Sequence, residues 1–192
     1  FKSPQALRID YNDFSLANIV YAGFARANGN SLRRAASIMA KILEIPDNVI
    51  VNDDKSMFLG ALSKSGKRVT DEGDIVFWGK EDDPFVDVFF TDHNGKPCTP
   101  VLCDEAKAAI AEADLIILSS GTQWSSLIPT YASIGFKEAI ENSTAKIIMV
   151  MNKVPDKDCP GQTSADIIDA LVPKYFPESR LNVMVDSNSD SK

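Results

Sequence analysis

The sequence predicts an α/β fold, a Rossmann-like three-layer arrangement with a mainly parallel sheet and a β-rich insertion. Two patterns lead there. From Asp104 onward, helical segments and apolar strand-like segments alternate three times, as in a sheet whose parallel strands are joined by crossover helices. Before that, a helical start gives way to short β-like runs separated by Ser65-Gly66 and His93-Asn94-Gly95, the texture of hairpins. With 192 residues and 44% hydrophobic content, one sizeable core is expected. The expectation is a single domain over 1–192, made of a helical hairpin at 1–45, a β-rich middle at 46–100 and a parallel α/β part at 101–186.

Taken in order, Leu16, Ile19, Val20, Gly23, Phe24 and Ala27 repeat at helical spacing over 15–27, with Asp13 or Ser15 as the cap and Asn28-Gly29-Asn30 as the stop. A second helix over 31–43 presents Leu32, Ala35, Ala36, Met39, Ile42 and Leu43 on one face and ends at Pro46. Strands are expected at 49–51, 57–63, 67–69, 74–78 and 85–91. Asp104 opens a helix over 105–113, and the unbroken apolar run from Leu115 reads as a buried parallel strand. A helix at 133–142, a strand at 146–151, a helix at 164–171 and a strand at 181–185 follow, and 186–192 is a polar tail.

Charge and cysteine usage narrow the function classes. The net charge is −7, spread unevenly: residues 1–45 carry six Lys/Arg against three Asp/Glu, whereas 46–112 carry seven against fourteen. An acidic middle argues against a nucleic-acid groove. No run approaches the roughly 18 apolar residues of a membrane span, and the first residues lack the regions of a secretory signal, so a cytoplasmic location is expected. Cys98, Cys103 and Cys159 form neither a disulfide framework nor a zinc ligand pair. His93 is the lone histidine and sits in a turn, and there is no Gly-x-Ser-x-Gly elbow, which disfavours a Ser-His-Asp hydrolase. No metal site is assigned.

The chemistry is expected where the strand beginning at Leu115 stops. Ser119, Ser120, Gly121, Thr122, Trp124, Ser125 and Ser126 follow it, at the carboxyl edge where open α/β sheets bind ligands. Gly121 permits a special turn or a close approach to a ligand, the hydroxyls offer hydrogen bonds, and Ser125 or Ser126 can cap the next helix. A phosphate here would meet backbone N–H groups and the positive end of a helix dipole. Asn152, Lys153 and the polar loop after them end the next strand, so the two loops would form one crevice, with the Asn152 amide placed to contact a base, sugar or phosphate.

Three stretches together carry a family resemblance: Ser15-Leu16-Ala17-Asn18, the run from Ala113-Asp114-Leu115-Ile116 through Ser126-Leu127-Ile128-Pro129, and Asn152 with Gly161-Gln162-Thr163-Ser164-Ala165-Asp166. The chain resembles the 2-phospho-L-lactate transferase and gluconeogenesis-factor family, whose members carry Asn, Gly, aromatic, Ser, Pro and Asn at the places of Asn18, Gly121, Trp124, Ser125, Pro129 and Asn152. Ser119-Ser120 stands for the family's Gly-Pro and Ala17 for its glycine, and the N-terminal glycine-rich strand-turn is absent, so a fragment or excised domain is expected. The resemblance implies a nucleotide or nucleotide-sugar ligand. One branch binds a UDP-sugar and regulates carbon metabolism or cell-wall synthesis; the other transfers a phospholactyl group from a guanosine diphosphate donor to a deazaflavin with a divalent metal such as Mg2+; a third reading is an assembly domain that has lost its site. Trp124 in place of the family tyrosine is expected to stack on a base or sugar. Neither nucleic acid nor membrane is an expected partner, and a homo-oligomer is compatible with the sequence.

Overall fold

The computed structural model describes residues 15–45, 49–154, 156–176 and 181–184. The expected cap Asp13, the terminator Pro46 and the polar tail from Asp186 lie outside them. The chain forms two compact units, Phe1–Asp54 and Lys55–Lys192.

In the first unit, side-chain caps set both helix starts. Helix α1, Leu16–Ala27, begins where Ser15 Oγ accepts from the Asn18 N–H, and α2, Leu32–Ile42, where Ser31 Oγ accepts from the Arg34 N–H. Gly29 and Asn30 turn the chain between them with positive φ. Asp54 strengthens the second start: it accepts from the Ser31 hydroxyl at 2.5 Å and from the Arg33 N–H at 3.1 Å. Leu16 and Ile19 stay exposed, so the apolar stripe read in the sequence is only partly covered, and the small Ala25, Ala35 and Ala36 are the buried positions.

The second unit contains two sheets. Strands β1, Phe58–Ser63, β2, Arg68–Val69, β3, Phe85–Thr91, and β4, Pro97–Cys98, pair antiparallel in the order β2-β1-β3-β4. Strands β5, Leu115–Leu118, β6, Lys146–Val150, and β7, Leu181–Met184, pair parallel in sequence order. The expectation of a mainly parallel sheet is therefore corrected: the α/β class holds, but among the described residues the larger sheet is the antiparallel one. Tight turns at Gly66 and Gly95 join neighbouring strands directly, which permits only antiparallel pairing and gathers the β-rich middle into a sheet of its own.

Four further expectations change. The segment expected as a strand at 74–78 forms helix α3, Glu72–Val76, because Asp71 accepts from the Asp74 N–H and two acidic residues occupy its first turn. Residues 49–51 form no strand. Among the described residues, strand β5 is a sheet edge rather than a fully buried strand, with Leu115 47% and Ile117 58% exposed. Helix α4, Asp104–Glu112, leads into β5 and is capped by Cys103, whose sulfur accepts from the Ala106 N–H, and not by Asp104.

After β5 the chain makes one π-helical turn, Gln123–Leu127, which runs into α5, Ile128–Tyr131, and then α6, Phe136–Asn142. Helix α7, Ser164–Tyr175, crosses from β6 to β7 and starts with a capping box between Thr163 and Asp166. Ile147 and Met149 of β6 join a core with Ile140, Leu171, Tyr131, Phe136 and Phe176, and a second aromatic group places Phe85 between Trp78 and Trp124. This frame fixes the carboxyl ends of β5 and β6 side by side.

Candidate functional site

Parallel pairing puts the Ser119–Thr122 loop beside the loop that follows β6. Asn152 ties them together: its Nδ2 donates to the Gly121 carbonyl at 2.9 Å. The same carbonyl accepts from Gln123 Nε2 at 3.4 Å.

The start of the π-helical turn is held by carboxylates of the chain itself. The Gln123 N–H donates to Asp156 Oδ2 at 3.0 Å and to Asp158 Oδ1 at 3.2 Å, and the Ser125 N–H donates to Asp158 Oδ2 at 2.9 Å. The Ser125 hydroxyl lies 2.7 Å from Thr122 Oγ1 and 3.1 Å from Asp158 Oδ2, and Thr122 Oγ1 lies 2.7 Å from Ser126 Oγ. Asp158 is fully buried, so these donors compensate its desolvation. The serines are therefore not the cap that the sequence implied: Thr122 precedes the turn without a side-chain cap bond, and the two aspartates take that role. The backbone donors of Gln123 and Ser125, which a phosphate would have used, already serve these carboxylates.

Two negative groups in one buried corner affect each other. Burial, followed by the charge of Asp158, pushes the Asp156 carboxyl up to about 6, against hydrogen bonds from the Gln123 and Lys157 N–H groups and the Asn152 amide. Burial and the two aspartates also push the Cys159 thiol upward, and its Sγ donates to Asp158 Oδ1. Among the described residues, Asp156, Asp158 and Cys159 are the grouping of metal-ligating types whose ligand atoms approach one another within 4.8 Å. The donor set does not fit the divalent cation of a transferase, because a hard cation takes oxygen ligands in preference to a cysteine sulfur and both Asp158 oxygens face N–H or O–H donors.

The structure brings together Gly121, Thr122, Ser125, Ser126 and Asn152. Ser119 and Ser120 are exposed just after β5. Trp124 is corrected: it is 5% exposed, its ring meets Phe85 edge-on at 6.1 Å, and it offers no free face for stacking a base. Asn18 lies in the other unit, exposed in the first turn of α1 with its N–H on the Ser15 cap. Gly121 is corrected as to conformation: it does not occupy the left-handed region, and a Cβ there would meet Leu127 at an ordinary 3.5 Å.

A cleft of about 230 Å³ opens next to this knot, lined by Gln123, Met151, Asn152, Lys153, Asp156 and Gln162 among others, and reaching Thr163 at the start of α7. Gln123 and Gln162 were missed in the sequence, as were Asp156 and Asp158 as caps. The available signal was the Asp-x-Asp spacing one strand after a Ser/Gly turn, which becomes readable only once β5 and β6 are known to be neighbours.

The unit is of the mixed α/β class, with a polar cleft at the carboxyl ends of parallel strands, the position where open α/β sheets bind ligands. A family model described as 2-phospho-L-lactate transferase CofD matches residues 9–190, and the chain belongs to that family. It is 30% identical over 159 residues to the "Gluconeogenesis factor" of Halalkalibacterium halodurans, an alignment covering 82% of this chain and 47% of that protein. Two crystal structures of a Bacillus halodurans protein are similar to it, one with a TM-score of 0.71 at 26% identity over 90% of this chain and 55% of the other, the second with a TM-score of 0.67 at 25% identity over 84% and 49%. The chain thus spans about half the length of the relatives it matches. Among the described residues no helix is long and apolar enough to cross a membrane.

Proposed function

We propose that the chain is the nucleotide-sugar-binding part of a protein of the gluconeogenesis-factor type, acting in the control of carbon metabolism or cell-wall synthesis rather than as a catalyst. The observation that carries this reading is the cleft at the carboxyl ends of β5 and β6, where Asn152 and Lys153 stand beside buried amide oxygens that have no protein partner. The name of the Halalkalibacterium relative supports the choice of branch. The transferase reading needs carboxylates to hold a metal at the leaving group. Here the acidic pair at the site is occupied in holding a turn, which favours binding over transfer. In this reading the Ser119 and Ser120 hydroxyls meet the diphosphate from the β5 side, and Asn152 contacts the nucleotide sugar from the β6 side.

Titration calorimetry on the full chain is expected to give saturable binding of UDP-glucose and only weak heats with guanosine diphosphate. Turnover of a deazaflavin alcohol with a phospholactyl guanosine donor would overturn the proposal in favour of the transferase, and silence with every nucleotide would overturn it altogether.

A further inference from the structure

The charges around the cleft oppose one another. Lys153 and the Thr163–Ser164 start of α7 line it, so a cation and the positive end of a helix dipole stand at its wall, and both favour an anion. Asp156 lines the same space and, when ionised, disfavours one. It is also held beside a second carboxyl. Asp156 Oδ2 lies 3.0 Å and Asp158 Oδ1 3.2 Å from the same Gln123 nitrogen, so a single N–H serves two acidic groups. Asp158 accepts in addition from the Ser125 N–H and hydroxyl, so the charge of the pair resides there. The charged and titratable groups nearby do not cancel the surplus. Lys157 sets its ammonium over the Phe77 ring at 5.4 Å, Asp166 of α7 accepts from Thr163, and Glu81 beside Gly161 and the protonated Cys159 add no positive charge. Asp156 accordingly keeps its proton up to about pH 6.

We infer that Asp156 sets which ligands the cleft accepts: neutral, it admits an anion, and ionised, it repels one, so an anionic ligand enters together with a proton. The effect is electrostatic and needs no direct contact. An anion in the cleft adds to Asp158 a second negative charge near Asp156, which raises the free energy of the ionised form further. By linkage, the proton stabilises the bound anion to the same extent. With Asp156 neutral the anion meets Lys153 and the α7 start unopposed; with Asp156 ionised it must either recruit a proton or bind against the repulsion. Affinity therefore falls as the pH rises. That the anion is the diphosphate of a nucleotide sugar rests on the function proposed above, whereas the coupling to a proton applies to any anion in the cleft.

UDP-glucose is the probe, because its diphosphate is a diester and does not itself titrate in this range. Calorimetry on the full chain is expected to show a roughly tenfold loss of affinity between about pH 5 and about pH 8, and measurements in two buffers of different ionisation heat are expected to show net proton uptake. Asp156→Asn, neutral at every pH, is expected to keep the wild type's low-pH affinity throughout. Any contribution from His93 is common to both proteins and cancels in the comparison. Should the variant fail to fold, the wild type decides alone: the Asp156 carboxyl carbon, followed by NMR, is expected to titrate at higher pH with UDP-glucose bound than without it. A wild-type affinity independent of pH, proton release on binding, or a folded variant with the wild type's pH dependence would overturn the inference while leaving nucleotide binding intact. If no nucleotide binds, the proposed function fails, and sodium sulfate compared with sodium chloride at matched ionic strength decides the coupling. Upward movement of the Asp156 titration in sulfate upholds it, and no movement overturns it.

Discussion

The antiparallel sheet and the carboxyl edge of the parallel sheet treat buried polarity differently. In the first, the buried positions are Gly60, Ala61, Val69, Phe85 and a single serine, Ser63, whose hydroxyl is partnered by Ser65 and by the Lys67 N–H. At the second, Gln123, Ser125 and Asp158 are buried together with an acidic neighbour, and two amide oxygens, those of Gln123 and Gln162, are left over. A closed apolar layer needs no partner from outside. The carboxyl edge holds like charges together and leaves acceptors open, a combination that costs stability and is characteristic of binding surfaces.

The largest expected effect tests whether the knot at that edge is structural to the same degree as the core. Phe85→Ala removes a ring stacked on Trp78 at 4.9 Å and should cost about 3–5 kcal/mol. Asp158→Ala leaves the Gln123 and Ser125 N–H groups without their carboxylate and should cost on the order of 3 kcal/mol. Urea unfolding of both variants reads the two costs directly. An Asp158→Ala loss below about 1 kcal/mol would mean that water replaces the carboxylate with ease, and the contrast between the regions would collapse.

The second test separates the two regions by pH. Asp156 holds its proton up to about 6 in the folded chain, against an ordinary value of 3.8, so between these limits the native state binds more protons than the unfolded one. Its contribution is therefore fully present below about pH 4 and is lost as the pH rises through 6. Asp54, held low by the Ser31 hydroxyl, and Asp92, held low by the Lys96 N–H, act in the opposite sense, stabilising at higher pH and losing that stabilisation on acidification. The reading must accordingly be a difference. Asp156→Asn keeps an acceptor for the Gln123 N–H and is expected to gain on the wild type steadily from pH 4 to 6 and to stay ahead above it. Parallel stability curves for the two proteins would exclude the coupled pair.

What the sequence disclosed follows the range of the interactions involved. A cap such as Ser15 acts within three residues, and the β3 run Phe85–Thr91 is bounded by its own turn residues, so both were readable. The carboxyl edge was located because an apolar run ending in Ser/Gly marks it. Its content was not readable, because Asp156 and Asp158 reach a turn more than thirty residues earlier and their roles exist only after β5 and β6 pair. Trp124 misled for the same reason: an aromatic in a polar loop reads as a ligand platform until Phe85, from the other sheet, is found against its ring. The helical turn at Glu72–Val76 was hidden by Ile75, Val76, Phe77 and Trp78, an apolar run whose residue types favour strands while its cap favours a helix.

The smallest expected effect concerns Gly121, and it decides whether the loop after β5 belongs to the binding surface or to the frame. Its carbonyl accepts from both Asn152 and Gln123, its φ is not left-handed, and an added methyl would touch only the Leu127 side chain at ordinary contact distance. Backbone strain therefore gives no reason for glycine here. Gly121→Ala should leave stability within about 1 kcal/mol of the wild type, with a slight gain from the stiffer unfolded chain. Any selective pressure for glycine must then come from something that approaches the loop from outside. If the diphosphate of UDP-glucose passes over this backbone, the larger Gly121→Val should weaken binding in calorimetry while the melting temperature stays close to that of Gly121→Ala. A Val variant that melts like Phe85→Ala would show the loop to be packed as tightly as the antiparallel core, and the ligand would then have to enter from the Gln162 side alone.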